Sequence, residues 1–289
     1  ITGAAEGIGK AIAVAAAAEG MRLVLADISD TLLNNTVQEL RQTGAEVIGV
    51  VTDVAKESDI QTLADQAYAQ FGHVHLLVNN AGVAFAKSAW ETTAKDWEWI
   101  MGINLYGITH ALRIFIPRML ASDEVAHIVN TASVAGLIAE PALAAYNVSK
   151  FGVVALSESL HHDLSLRKSK IGVSVLCPSW VKTRIIDAER NRKTEDRIQA
   201  DQLEKVSQKT GAAINKAVEA GISPQQVASD VITAVKANTF YILTHPETKA
   251  AVAIRSEDIL QGRPPSLLLI YISTVPHQER AEQNLAFIR

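Results

Sequence analysis

Short aliphatic runs alternate with glycine-stopped helical segments along most of this 289-residue chain, and few folds accept that rhythm. Residues 8–19 are small and aliphatic, carry no proline and end at Gly20, so they read as a helix. Residues 22–26 form an apolar strand closed by Asp27. Residues 31–43 place Leu32, Leu33, Val37 and Leu40 on one helical face before Gly44. The alternation continues with strands at 46–52, 74–78, 126–130, 171–176 and 240–244. Helical segments fall at 59–71, 93–119, 146–165 and 224–237, the last with proline in its first turn. Strands separated by helices predict βαβ units with right-handed crossovers. The expected fold is a single-domain α/β, Rossmann-like, doubly wound parallel sheet with helices on both faces.

Composition narrows the function. A formal net charge of −4 without a basic stripe argues against nucleic acid as a partner. One cysteine, Cys177, excludes a disulfide framework and a cysteine-rich zinc centre, and it reads as a small buried hydrophobe. No uninterrupted apolar run reaches the roughly 18–20 residues of a membrane span. The longest are 11–18 and 267–272. A cytoplasmic protein with no membrane partner is expected. His73 and His75 alternate in period two, as a metal pair or as two strand-end histidines, and no metal site is expected.

Six local patterns carry chemistry. Thr2-Gly3-Ala4-Ala5-Glu6-Gly7-Ile8-Gly9 opens the first helix. Read alone it is either an ordinary glycine-rich turn or a phosphate cradle, where unpaired helix N–H groups meet a pyrophosphate. Asp27 ends a strand about 20 residues later, where an acid accepts from a ribose 2′-OH and repels a 2′-phosphate. Asp53 follows the next strand, and Val54 beside it could lie against an adenine. Tyr146 and Lys150 are four residues apart, hence on one helical face. A free tyrosine is only about one part in a thousand phenolate at pH 7, and a nearby cation raises that share. Such a pair is also common on plain helix surfaces. Ser133 follows a strand end, where open α/β sheets bind ligands, although turn serines are frequent. Asn104 interrupts an apolar helical stretch and needs buried partners.

In this order and spacing these residues resemble the short-chain dehydrogenases/reductases, over residues 1–245. The resemblance implies binding of NAD or NADP by a single-domain Rossmann-like fold and an Asn104–Ser133–Tyr146–Lys150 tetrad. Tyr146 would be the general acid/base. Lys150 would lower its pKa and hold the nicotinamide ribose, Ser133 would orient the substrate oxygen, and Asn104 would hold a water in a proton relay. Gly3, Gly7, Ile8, Gly9, Asp27, Asp53, Val54, Asn80, Ala81, Gly82, Pro178, Val181 and Thr183 would line the cofactor with Tyr146 and Lys150. Trp180 would wall the substrate pocket together with residues 137–143. Where the family usually has Pro-Gly, this chain has Pro178-Ser179, and serine takes positive φ less cheaply than glycine.

Asp27, with no basic residue at Glu6 or Ile28, favours NAD. The expected reaction is hydride transfer between a secondary alcohol or ketone, a small molecule of apolar character, and nicotinamide. The alternatives are an NADPH-dependent carbonyl or 3-oxoacyl reductase, and a non-catalytic nucleotide sensor on the same fold. A homodimer or homotetramer is implied. Residues 184–222 read as a polar substrate lid, with 189–197 a solvated helix face. Residues 246–289 read as a helical then irregular tail. Ile1 and Thr2 offer about 7 Å of first strand against the usual 17–20 Å, so an apolar stretch of about five or more residues is expected before Ile1.

Overall fold

The computed structural model describes residues 1–198, 201 and 203–268; residues 199, 200 and 202 of the expected lid, and 269–289 of the expected tail, lie outside the described residues. All strand pairing is parallel. β1 (Leu23–Asp27) lies beside β2 (Val47–Val51). β3 (Leu76–Asn79), β4 (Ala126–Thr131), β5 (Ile171–Leu176) and β6 (Tyr241–Ile242) follow one another in chain order. Ile1 and Thr2 join the two groups. Ala26 N donates to Ile1 O at 2.9 Å, and Thr2 N donates to Val78 O at 3.0 Å. Beyond them, a cavity of about 630 Å³ between β1 and β3 is lined by Ile1, Val24, Leu76 and Phe115, among others.

Successive strand residues face opposite layers, and both layers are helical. Leu77, Ile128 and Val175 pack against α3 (Glu57–Phe71), α5 (Gly107–Ser122) and α6 (Ala144–Leu166). Their neighbours Val78, Val129 and Leu176 pack against α1 (Gly7–Ala18) and α8 (Pro224–Ala237). α2 (Asp30–Gln42) buries Leu33, Val37 and Leu40 on β1, β2 and α1. Strands buried on both faces explain why they read as continuous aliphatic runs. Each such side chain contributes about 1.5–3 kcal/mol on burial.

The helical region expected at 93–119 is not uniform. α4 (Ala94–Met101) and α5 are joined by a π-helical turn, Gly102–Tyr106. The wider turn holds Asn104 at its centre, fully buried. The whole run Ala94–Ser122 is long and apolar enough, by length and composition, to cross a membrane. Its apolar residues Ile108, Ala111, Phe115 and Met119 instead lie in the core. The strand expected at 240–244 is shorter, limited to Tyr241–Ile242.

The polar excursion leaves and returns at one point. Lys182 N donates to Ile222 O at 2.9 Å, and Ile222 N donates to Trp180 O at 3.0 Å. Between them lie the short 3-10 segments Ile185–Asn191 and Thr194–Asp196, then the amphipathic α7 (Lys205–Ala220). The reading of 189–197 as a solvated face is corrected here. Arg192 is buried, with Nη1 2.6 Å from Asp96 Oδ1 and its guanidinium 4.1 Å from the Trp99 ring centroid. Asp96 also receives Lys87 Nζ at 2.7 Å and the Thr93 backbone N–H at 2.9 Å, in a capping box at the start of α4. A charged run cannot reveal from sequence alone that an acid waits on a helix nearly a hundred residues earlier. Beyond the excursion, α9 (Thr248–Gln261) carries the helical part of the tail and packs Ala251 and Val252 on Val134 and Ile138.

Removing one partner of a buried ion pair costs about 3–5 kcal/mol. Asp96→Ala and Arg192→Ala are each expected to lower stability by that order in urea titrations, and the double variant by much less than the sum. Burial alone would raise the Asp96 carboxyl, but hydrogen bonds from Lys87, Thr93 and Arg192 hold it at about 2. Because its folded value is depressed, its stabilisation is present above the unfolded value of 3.8 and is lost as pH falls toward about 2. Wild type should therefore lose stability across that window more steeply than Asp96→Ala.

Candidate active site

Of the residues expected in the tetrad and around the cofactor, all but Gly9 and Asn104 line a single cavity of about 710 Å³ at the carboxyl ends of the strands, and of the stretch 137–143 expected to wall the substrate pocket with Trp180, Glu140 and Leu143 line it. The glycine loop forms its floor. Gly3 has φ +62°, and a Cβ there would lie 2.8 Å from Ala81 Cα. Gly9 supports the loop from behind: a Cβ on it would lie 2.0 Å from Gly3 O. No side chain caps α1, so the N–H groups of its first turn face the cavity without a side-chain acceptor.

The loop is clasped to the end of β3 by a residue the motif reading passed over. Thr2 Oγ1 accepts from Asn80 N at 2.9 Å and Ala81 N at 3.1 Å, while Asn80 Nδ2 donates to Thr2 O at 3.1 Å and Gly3 O at 3.2 Å. The only sequence signal was a hydroxyl residue immediately before the first glycine. Asp27 also ties the loop. Its Oδ2 accepts from Ala5 N and its Oδ1 from Ser29 N, both at 3.0 Å, and the residue borders the cavity. Asp53 Oδ1 accepts from Ala55 N at 3.1 Å, and Val54 lies beside it on the cavity wall.

α6 brings the tyrosine and lysine in. Tyr146 sits in its first turn, and Lys150 Nζ lies 5.7 Å from the Tyr146 ring centroid. Lys150 is buried and donates to Thr131 O, at the end of β4, at 2.9 Å. A Cβ on Gly82 would lie 3.4 Å from Asn104 Oδ1 and 3.5 Å from Lys150 Nζ, so these two groups flank one glycine. Asn104 is a clamp. Its Oδ1 accepts from Val83 N at 2.8 Å, and its Nδ2 donates to Val83 O at 2.9 Å and Ser149 Oγ at 3.0 Å. Ser149 Oγ in turn donates to Tyr146 O at 2.8 Å. Both amide hydrogens of Asn104 are thus held by protein acceptors. Ser133 accepts from Ala135 N at 3.1 Å and hydrogen-bonds Tyr146.

Burial pushes the Tyr146 phenol up to about 12, hydrogen bonding by Ser133 draws it down and the Glu140 charge raises it. Burial brings Lys150 down to about 8. In the protein alone, burial outweighs any help Lys150 gives the phenolate. Ser179 does not adopt positive φ, so serine in place of glycine after Pro178 imposes no strain of that kind. Thr183 closes the loop over the cradle, its Cγ2 3.3 Å from where a Gly7 Cβ would be. His73 and His75 both turn to Glu124, at 3.4 and 2.7 Å, on a separate surface.

Two further features were not read from sequence. Arg184 and Arg190 reach from the excursion to Glu6 on the glycine loop, Arg184 at 3.5 Å and Arg190 in direct contact. Glu140 lines the cavity beside Tyr146; its signal was being the only charged residue between Ser133 and Lys150.

The chain matches the family model described as short chain dehydrogenase over residues 1–194. It is 37% identical over 269 residues to the CLA biosynthesis dehydrogenase/reductase of Lactiplantibacillus plantarum, covering 92% of this chain and 94% of that protein. It is 31% identical over 264 residues to the 1-deoxy-11-beta-hydroxypentalenate dehydrogenase of Streptomyces avermitilis, covering 90% and 88%. A solved short chain dehydrogenase/reductase from Burkholderia phymatum, in complex with NAD, superimposes with a TM-score of 0.90 at 47% identity, covering 93% of this chain and 96% of that one.

The cost of a buried cation gives a test without substrate. Lowering Lys150 from 10.5 to about 8 corresponds to about 3 kcal/mol against the folded state at neutral pH. The sign follows from the folded value lying below the unfolded one: the penalty is full below pH 8 and is relieved as pH rises toward 10.5. Lys150→Met is expected to melt higher than wild type at pH 7, with the gap closing toward pH 10. Differential scanning calorimetry across that range measures it, and a variant that melts lower at pH 7 contradicts it.

Proposed function

This chain belongs to the short-chain dehydrogenase family, and we propose that within it the protein is an NAD-dependent oxidoreductase interconverting a secondary alcohol and its ketone. The observation that carries the reading is the convergence of Ser133, Tyr146 and Lys150 in the cavity whose floor is the glycine loop. That floor fits a dinucleotide: an uncapped helix start, a positive-φ glycine and a strand-end acid stand where diphosphate and ribose would be held. When bound, a nicotinamide dinucleotide supplies the hydride acceptor in oxidation and the donor in reduction.

The remaining work falls to side chains. Ser133 holds the substrate oxygen, and Tyr146 Oη takes the hydroxyl proton in oxidation and returns it in reduction. With its phenol at about 12, Tyr146 is a proton donor in the protein alone. Oxidation therefore requires positive charge near the ring beyond that of Lys150, which an oxidised nicotinamide would supply. Lys150 would also hold the nicotinamide ribose. Asn104 fixes the 82–83 loop to α6 and so keeps the lysine and tyrosine in register. Phe85, Leu143, Trp180, Ile214 and Val218 line the same cavity and favour an apolar substrate body.

A second reading, NADPH-dependent carbonyl or 3-oxoacyl reduction, draws on Arg184 and Arg190 at the cavity wall. Glu6 and Asp187 already pair with them, and Asp27 adds a further negative charge at the ribose end. A non-catalytic sensor would have no use for the Tyr146–Lys150 pair.

NAD is expected to bind at least about tenfold better than NADP, or roughly 1.4 kcal/mol, with Asp27→Ala narrowing the gap in fluorescence titrations of NADH and NADPH. Tyr146→Phe should keep NADH affinity and lose turnover of secondary alcohols by roughly a hundredfold or more. Near-normal turnover in that variant defeats the acid/base assignment, and a wild-type preference for NADP defeats the reading of Asp27.

A further inference from the structure

Glu6 is the only charged residue in the glycine loop, residues 3–9. It stands at the start of α1, yet its side chain does not cap the helix. The carboxylate turns to the excursion instead. Arg190 Nη2 contacts Glu6 Oε1 directly, and Arg184 Nη1 lies 3.5 Å from Glu6 Oε2. The two arginines are held differently. Arg184 is half exposed and also pairs with Asp187 at 2.5 Å. Arg190 is three-quarters buried, and its Nη1 donates to Arg184 O at 2.9 Å and to Asp187 O at 2.8 Å. The chain is fixed on either side of it. Ala188 is buried in a cluster with Val83 and Ile100, and Arg192 pairs with Asp96. Arg190 is therefore a preorganised cation seated on Glu6, and Glu6, Arg184 and Arg190 all border the cavity.

An acid in this loop is at odds with the ligand the loop fits. A diphosphate settling on the N–H groups of α1 meets a like charge, and a partly buried wall screens it poorly. Alanine or serine at position 6 would leave the cradle open without that repulsion. We propose that Arg190 is a positioning residue for the dinucleotide. It holds Glu6 neutralised so that the diphosphate can settle, and it thereby ties cofactor affinity to the seating of the excursion. The inference rests on the dinucleotide reading above. With the excursion seated, the loop presents helix N–H groups beside a cancelled charge. With the excursion displaced, it presents an uncovered carboxylate. By reciprocity, whatever the seated excursion adds to cofactor affinity, bound cofactor adds to the seating of the excursion.

Direct contact between Arg190 and the diphosphate would give the same loss in a single variant, so the double variant decides. NADH is titrated by its fluorescence and ADP-ribose, which carries the diphosphate without nicotinamide, by calorimetry. Arg190→Met is expected to weaken both ligands by at least about tenfold, while Glu6→Gln binds both as tightly as wild type or several-fold tighter. Glu6→Gln with Arg190→Met should return to within about threefold of Glu6→Gln alone, because no acid is left to shield. Melting curves accompany each variant, with Arg190→Gln in place of methionine if the melt falls. A double variant as weak as Arg190→Met overturns the shield, since the arginine then acts directly on the ligand or only on the fold. Wild-type affinity in Arg190→Met, or a loss confined to NADH, overturns it as well. A wild type that binds neither ligand defeats the dinucleotide reading itself, and the role of Arg190 with it.

Discussion

A parallel sheet covered by helices on both faces leaves its ligands one place to go: the crevice at the carboxyl ends of its strands. That constraint organises this protein. β1 ends at Asp27, β3 runs into Asn80 and Gly82, β4 ends beside Ser133 and β5 runs into Pro178, and all these residues border the same cavity. Tyr146 and Lys150 come from a helix, and α6 reaches the same end because the crossover after β4 must pass over it. Ser133, Tyr146 and Lys150 are therefore brought to one cavity by strand order, while Asn104 stands behind it on the π-turn.

Assembly at a strand end is costly where the groups are polar. Tyr146 and Lys150 are both pushed by burial toward their uncharged forms. Two hydrogen-bonded ladders offset this. Asn79 Nδ2 donates to Asn130 Oδ1 at 2.9 Å, Asn130 Nδ2 donates to Ser157 Oγ at 3.0 Å, and Ser157 Oγ donates to Val153 O at 2.7 Å. That chain runs from β3 through β4 into α6. The Asn104 clamp does the same from the π-turn, joining Val83 to Ser149. Between them α6 is held to the sheet by paired polar groups, which tolerate little rotation or slip.

The excursion is held at two levels. At its root, Arg192 is locked by Asp96, and Ser207 Oγ lies 3.1 Å from Ser88 Oγ, both with little exposure to water. At the cavity, Arg184 and Arg190 meet Glu6 on the glycine loop, where the partners are more exposed. Ion pairs of the second kind are weak and easily exchanged, whereas the buried pair is not. The excursion is thus firmly rooted on α4 and lightly latched over the glycine loop.

Sequence alone determined the layers and most of the site, because both depend on local regularities. Period-two and helical apolar patterns mark the elements, and glycines, Asp27, Tyr146 and Lys150 stand at spacings that a strand end or one helical face requires. Asn104 was noticed for the same reason, as a poor helix former in an apolar run. Tertiary structure decided what depended on groups distant in the chain. It made Thr2 a clasp for Asn80, bent 93–119 into a π-turn around Asn104, buried Arg192 in a run that looked solvated, and set Glu140 beside Tyr146. None of these has a local signature, since each exists only once strands far apart in sequence lie side by side and exclude water from the groups between them.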